Sequence, residues 1–448
     1  MEKLRLIPKV HDLLEDPALA AALEEYDRAY INHLVNENLS AIRQDLLSGK
    51  DRDISREAII ASLIEELESP YALREVINAT GIVLHTNLGR APLSRAALER
   101  IEILSRGYSN LEYDLEVGKR GSRYDHLRRH LQYLTGAEDA HVVNNNAAAV
   151  FLVLNTFTQG KEIILSRGEM IEIGESFRIP EIIKNSGAKL VEIGTTNKTH
   201  LWDYEDAIND ETGMIMKVHP SNYFVGGFSQ GVEARDLSLL AKKRGILLYE
   251  DVGSGSLLEE GLFREKNSVR QALAHVDLIS FSGDKLLAGP QAGIILGSKE
   301  HIKALKKNQL TRVLRVDKLI LAALEATLLA YTKKDIDLPS YFFLNRTYEE
   351  LELRSEDFLS RLKALGIEGE LVNGESLVGG GALPETTIAS PQIALRVNKN
   401  LEEVNYRLRK RRPAIVAVLD RGVLKVDLRC IYPEDEGILF EALKEVIL

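Results

Sequence analysis

The chain has 448 residues and a formal net charge of −10, with 28% charged and 45% hydrophobic residues. That length exceeds one typical core and predicts about three domains, while the acidic balance argues against a surface that grips nucleic-acid phosphates broadly. The only cysteine, Cys430, excludes an internal disulfide, and the lack of a long uninterrupted apolar run predicts neither a signal segment nor a membrane span, so the expected location is the cytoplasm.

In chain order, residues 11–48 are rich in Leu, Ala, Glu and Arg at helical spacing, with Pro17 in the first turns. Gly49-Lys50-Asp51 breaks the pattern, and a second helix-like run over 56–68 ends before Ser69-Pro70. This predicts a helical N-terminal domain over 1–70. From about residue 77 to 330, apolar strands such as 163–165, 189–193 and 214–218 alternate with helix-like stretches. The alternation predicts an α/β domain over 71–332 built on a mainly parallel, helix-covered sheet. After Leu338-Pro339 come an amphipathic helix (348–365), a Gly-rich segment (379–382), strands and a last helix. They predict a smaller C-terminal α+β domain over 333–448.

Three segments of the central domain carry chemistry. His141-Val142-Val143-Asn144-Asn145-Asn146-Ala147-Ala148 reads as a strand, a polar turn and the start of an alanine-rich helix. A helix N-terminus offers free N–H groups to an anion, and small residues allow close approach; a plain Asn-capped helix reads the same way. Residues 245–255 form a buried-strand pattern ending in Glu250-Asp251-Val252-Gly253. Asp251 sits at the carboxyl end of the strand, where open α/β sheets bind ligands, or serves as a helix N-cap. Alternation along the strand sends Glu250 to the opposite face. Lys285 follows the apolar run 276–281 and is set among small residues, Ser282-Gly283-Asp284 before it and Gly289-Pro290-Gln291-Ala292-Gly293 after it. A lysine that forms a Schiff base with pyridoxal phosphate needs such a place: a loop, partial desolvation and room for a flat ring. Asp251 would then pair with the protonated ring nitrogen. The turn Asn144, Asn145, Asn146 and Ala147 would hold the phosphate, with Ser282 adding a hydroxyl. The alternative is an ordinary turn lysine between two strands.

These segments lie within a longer series of motifs. Arg5-Leu6-Ile7-Pro8, Ile77-Asn78-Ala79-Thr80-Gly81, His85-Thr86-Asn87-Leu88-Gly89-Arg90, Tyr108-Ser109-Asn110-Leu111-Glu112 and Gly118-Lys119-Arg120-Gly121 come first. Ser176-Phe177-Arg178-Ile179-Pro180, Gly194-Thr195-Thr196-Asn197, Gly379-Gly380-Gly381 and Asp427-Leu428-Arg429 follow. Through nearly its whole length the chain resembles the bacterial selenocysteine synthases, the L-seryl-tRNA(Sec) selenium transferases. The resemblance implies the aspartate-aminotransferase-like fold (fold type I) and pyridoxal phosphate on Lys285. It also implies conversion of seryl-tRNA(Sec) to selenocysteinyl-tRNA(Sec) with selenophosphate, through an aminoacrylyl-tRNA intermediate. It further implies tRNA binding by residues 1–70 and a homodecamer built from dimers.

Within that reading, Asp284 is a proton-handling candidate, with a turn-orienting role as the alternative. Arg90, Arg312 and Arg315 are candidates for the selenophosphate anion; Arg312 and Arg315, spaced i and i+3, would face one way on a helix. Arg178 is a weaker candidate, and a lone histidine such as His219 reads as structural. The basic runs, 407–412 among them, read one at a time as solvated faces, so the tRNA rests on the resemblance. Pro220, and Ala417-Val418 where an arginine is usual, depart from the family pattern. Two other functions fit parts of the chain: a pyridoxal-phosphate lyase or transferase acting on a small amino acid or amino sugar, and a non-catalytic RNA-binding scaffold.

Overall fold

Two aspartate-marked interruptions divide the first predicted helix. In the computed structural model, which describes residues 2–50, 52–68, 71–174, 177–220, 226–258, 268–334 and 336–448, the stretch 10–47 forms Val10–Leu14, Pro17–Leu19, Ala20–Glu25 and Arg28–Leu47. Asp16 precedes a proline, which disfavours helical backbone there, and its carboxylate accepts from Ala18 N at 3.0 Å. Asp27 caps the long helix by accepting from Ala29 N at 2.7 Å. The motif residues Asp51, Ser69, Pro70 and Ser176, and the Ser221-Asn222 pair after Pro220, lie outside the described residues.

The chain divides into two units, Met1–Glu75 and Val76–Leu448. In the first, Ile31, Val35, Leu39 and Ile42 form one buried stripe of the long helix. They share a core with Leu13, Leu19, Ile59 and Leu63. Asp16 also pairs with Arg56 at 2.7 Å and Asp45 with Arg52 at 2.8 Å. Several acids of this acidic unit thus serve as caps and ion-pair partners.

The second unit is built on a seven-stranded sheet. In chain order its strands are β1 (Asp139–Val143), β2 (Glu162–Ser166), β3 (Lys189–Ile193), β4 (Thr212–Val218), β5 (Leu247–Gly253), β6 (Leu278–Ser282) and β7 (Gly293–Gly297). Their spatial order is β1-β7-β6-β5-β4-β2-β3. β7 runs antiparallel to both its neighbours; the other pairings are parallel. Apolar residues from alternate strand positions fill cores on the two faces, one around Val143, Leu165 and Met216, the other around Val142, Ile279 and Phe281. The carboxyl ends of β1, β2, β3, β4, β5 and β6 therefore open on one side.

The C-terminal part carries an antiparallel sheet of β8 (Gly369–Gly379), β9 (Leu383–Leu395), β10 (Val418–Asp420) and β11 (Val423–Asp427), in the order β8-β9-β11-β10. Residues 76–84 are built into this part: Val76–Asn78 pairs in parallel with Ala414–Val416, and Leu377 N donates to Gly81 O at 3.1 Å. Gly81 has φ +77°, and a Cβ there would lie 2.4 Å from Asp427 Oδ2. Asp427 in turn accepts from Ser376, Ser390 and Arg429 N, while the buried Arg429 guanidinium donates to the carbonyls of Phe343, Arg346 and Ala389. Two of the family motifs are thus explained by architecture. No helix among the described residues is long and apolar enough to cross a membrane.

Candidate active site

Asp251 stands at the carboxyl end of β5, 2% exposed. Its Oδ1 accepts from Asn146 Nδ2 at 2.8 Å and from Gly253 N at 3.0 Å. Burial raises its pKa, opposed first by the Asn146 hydrogen bond and then by Lys285. No helix starts among residues 252–258, so the N-cap alternative is set aside. Ser280 is the register partner of Asp251 on β6, and its hydroxyl pairs with Tyr249 Oη at 2.7 Å.

Lys285 follows β6 in a tight loop. Gly283 N donates to Ala292 O at 2.8 Å and Ala288 N to Lys285 O at 2.8 Å. A Cβ on Gly283 would meet Pro290 O at 2.5 Å, so only glycine lets the loop close. The lysine is 4% exposed, and its amine donates to Gly253 O at 3.3 Å. Burial, then the Arg90 charge, lowers its pKa against the pull of Asp251 and Asp284. The loop is anchored from outside by the buried Tyr341 and the half-buried Tyr331: Tyr341 Oη donates to Leu286 O at 2.5 Å and Tyr331 Oη to Leu287 O at 2.8 Å. Gly381, from the Gly-rich segment, approaches the same amine; a Cβ there would sit 3.6 Å from Lys285 Nζ.

The asparagine turn joins β1 to the helix Asn146–Phe157. Asn145 is its N-cap, accepting from Ala148 N at 2.9 Å. Asn146 gives its amide group to Asp251, so that side chain serves the carboxylate rather than an anion. Asn144 is exposed, and its N–H donates to Leu314 O at 2.9 Å. Ala147 lies in the first helical turn, whose N–H groups have no helical partner. A Cβ on Gly293 would lie 2.1 Å from Asn145 O, so this glycine lets the turn sit against β7. Ser282, buried, is the register partner of Gly293.

Arg90 and Asp284 form one unit, with Arg90 NH1 2.9 Å from Asp284 Oδ2. Arg90 has φ +60°, a strained conformation for a side-chain-bearing residue, held by Arg90 N donating to His85 O at 3.1 Å. The expected helical pairing of Arg312 with Arg315 is corrected: the helix Leu310–Val313 ends before Arg315, which bridges to Val143 in extended backbone. Arg312 is exposed at the end of that helix, whereas Arg315 lies 3.9 Å from Glu112. Glu112 is also clasped by Arg123, whose pairing lowers its pKa despite burial. Arg178 pairs with Glu172 at 2.7 Å on an exposed hairpin.

The sequence reading set His219 aside as structural. Its backbone N–H donates to Asp251 O at 2.9 Å. The residue is half-buried, its pKa pushed down to about 4 by burial and then Lys217, and its buried Nδ1 has no partner among the described residues. Asn146 Oδ1 is likewise buried and unpartnered. Unpartnered buried polar atoms on two residues that bond Asp251, with a buried amine that has one hydrogen bond, fit a flat, polar, aldehyde-bearing ring. Pyridoxal phosphate has that chemistry.

The family model described as SelA: L-seryl-tRNA selenium transferase matches residues 76–432. The L-seryl-tRNA(Sec) selenium transferase of Carboxydothermus hydrogenoformans is 44% identical, covering 97% of this chain and 96% of its own. That of Aquifex aeolicus is 42% identical, covering 99% of each. A solved structure of D-glucosaminate-6-phosphate ammonia-lyase matches with a TM-score of 0.61 at 20% identity, over 84% of this chain and 96% of that one. This last likeness shows a shared fold, and the sheet with its one reversed strand is the aspartate-aminotransferase-like fold. Family match and near-full-length kinship together place the chain in the L-seryl-tRNA selenium transferase family.

Proposed function

We propose that this chain converts L-seryl-tRNA(Sec) to L-selenocysteinyl-tRNA(Sec), taking selenium from selenophosphate. The observation that supports it best is the buried Lys285 amine, its pKa lowered, beside the buried Asp251 at the strand ends of a chain of this family. Pyridoxal phosphate is the cofactor; bound here it supplies an electron sink for the charge left at the substrate α-carbon. Lys285 would hold it through its amine, Asp251 would pair with its ring nitrogen, and Asn144, Asn145, Ala147 and Ser282 would hold its phosphate. Lys285 Nζ, favoured in the neutral form by burial, takes the α-proton of the serine moiety. Asp284, fixed by Arg90, handles the proton at the serine β-oxygen as that oxygen leaves. Arg90, Arg312 and Arg315 draw in the selenophosphate anion. Residues 1–70 dock the tRNA body, and the working particle is a cytoplasmic homodecamer built from dimers.

Selenium transfer from selenophosphate to purified seryl-tRNA(Sec) tests the reading directly. Product is expected with that tRNA and not with seryl-tRNA(Ser), and removal of residues 1–70 should abolish the discrimination. A wild-type protein that stays colourless after addition of pyridoxal phosphate would refute it. Asp284→Asn should keep the visible absorption while lowering turnover by roughly 10²-fold, in the range of a lost general acid or base.

A further inference from the structure

The chain's only tryptophan, Trp202, is 58% exposed. Burying so large an apolar ring is ordinarily favourable, which makes its exposure informative. Its ring stacks on His200, with centroids 5.4 Å apart and planes 11° from parallel. Both residues line a groove of about 640 Å³ with Arg167, Lys198 and Gly194. The adjoining loop, tied by Asn197 Nδ2 donating to Phe228 O at 2.7 Å, carries a second aromatic, Phe228, with 89% of its surface exposed.

The groove is not basic: Arg167 and Lys198 stand against three carboxylates, Glu192, Asp203 and Asp206. Glu192 is engaged by Arg167 at 3.3 Å, and Asp203 accepts from His200 N at 2.7 Å. A phosphate-gripping channel would be strongly cationic. Exposed aromatic rings beside isolated cations are instead suited to the faces of unpaired bases, which stack on any flat ring. Position narrows the choice of partner. Arg167 and Gly194 directly follow the carboxyl ends of β2 and β3, and Lys285 and Asp251 lie at the carboxyl ends of β6 and β5. The groove therefore opens on the side of the sheet that holds the reactive amine, three strand positions from Asp251, or about 14 Å at ordinary strand spacing.

We infer that this groove stacks the unpaired 3′ nucleotides of the aminoacyl-tRNA while the esterified serine reaches Lys285, an inference that rests on the substrate proposed above. The lone tryptophan makes the test direct, since all tryptophan emission of the full-length, cofactor-loaded protein comes from Trp202. Titration with complete tRNA(Sec) should quench that emission saturably; the same tRNA trimmed of its unpaired 3′ nucleotides should not. Trp202→Ala should raise KM for seryl-tRNA(Sec) by roughly 5- to 100-fold, the range of one lost base stack, with kcat retained. Trp202→Phe, which keeps a stacking face, should recover most of the loss. Equal quenching by intact and trimmed tRNA, or an unchanged KM in Trp202→Ala, would overturn the inference. So would emission that shifts with protein concentration and ignores RNA, which would mean a second copy covers the groove. Quenching in a protein without selenium transfer would support the groove and sink the substrate reaction. Transfer without quenching would do the reverse.

Discussion

Asp251 and Glu250 are neighbours on one strand, both carboxylates, both buried, and both pushed toward the neutral form by that burial. Alternation sends them to opposite faces of β5, and their partners differ in kind. Asp251 accepts from Asn146 and Gly253 N and feels the Lys285 charge, groups that favour a carboxylate. Glu250 lies beside its register partner Lys217, which is already engaged by Glu169 at 3.0 Å. The Glu169 and Glu233 charges oppose its ionisation further. Two acids thus share one lysine on that face, and burial leaves Glu250 with a pKa of about 7. Desolvation alone therefore does not mark a functional acid; the donors arranged around it do.

The contrast is broken most severely at the lysine. Lys285→Ala removes the amine that Asp251 faces, and should abolish the visible absorption of the bound cofactor. Turnover should fall by at least roughly 10³-fold, since both attachment and proton removal depend on that group. Retained absorption in this variant would move the attachment elsewhere. Asp251→Asn is the subtler cut. It keeps the shape and can still accept from Asn146 and Gly253 N but removes the charge, so turnover should fall by roughly 10²- to 10³-fold, as for loss of one preorganised electrostatic partner. Because burial disfavours that charge when no cofactor is bound, thermal unfolding of the cofactor-free variant should occur at the same or a higher temperature than the parent. A large destabilisation would recast Asp251 as a structural residue.

Much of this arrangement was legible in the sequence, for reasons that differ by residue. Lys285, Asp251 and the asparagine turn were readable because a strand end followed by small residues is a local pattern, and strand ends share one side of a parallel sheet. The opposite placement of Glu250 followed from the two-residue period alone. The assignment of all three asparagines to an anion erred for Asn146. Its partner is 105 residues away, and no local rule could pair them. Arg312 and Arg315 looked helical by spacing, but the helix ends at Val313, where the chain turns to bridge Val143. The union of Arg90 with Asp284 spans 194 residues and was equally hidden. His219 was weighed and set aside as structural, Gly381 stood only as part of a motif, and the two tyrosines gave no signal, because their roles come from what folds against them. The segment 76–84 read as the opening of the central domain, yet its hydrogen bonds go to strands more than 290 positions later. A short edge strand says nothing about its partner.

The mildest test leaves the site intact and alters only the other face. Glu250 is held above its ordinary 4.5, at about 7, first by desolvation, against the pull of Lys217. Between those values the folded protein keeps a proton that the unfolded chain releases, so folding becomes less favourable as pH rises from about 4.5 to 7 and stays at that lower level beyond. Glu250→Gln mimics the protonated form throughout. The stability difference between variant and parent should be near zero below pH 4.5 and grow to about 3 kcal/mol in favour of the variant by pH 8. His141 and His219, held down at about 3 and about 4 by burial, act with the opposite sign. Their contribution is whole above pH 6.5 and is lost as pH falls; both are present in parent and variant and cancel in the difference. Denaturant unfolding at several pH values measures it, with selenium transfer assayed alongside. A flat difference would show that Lys217 already neutralises this face. A collapse of turnover in Glu250→Gln would show that the two faces of β5 act on one reaction, through the backbone shared by Glu250 and Asp251.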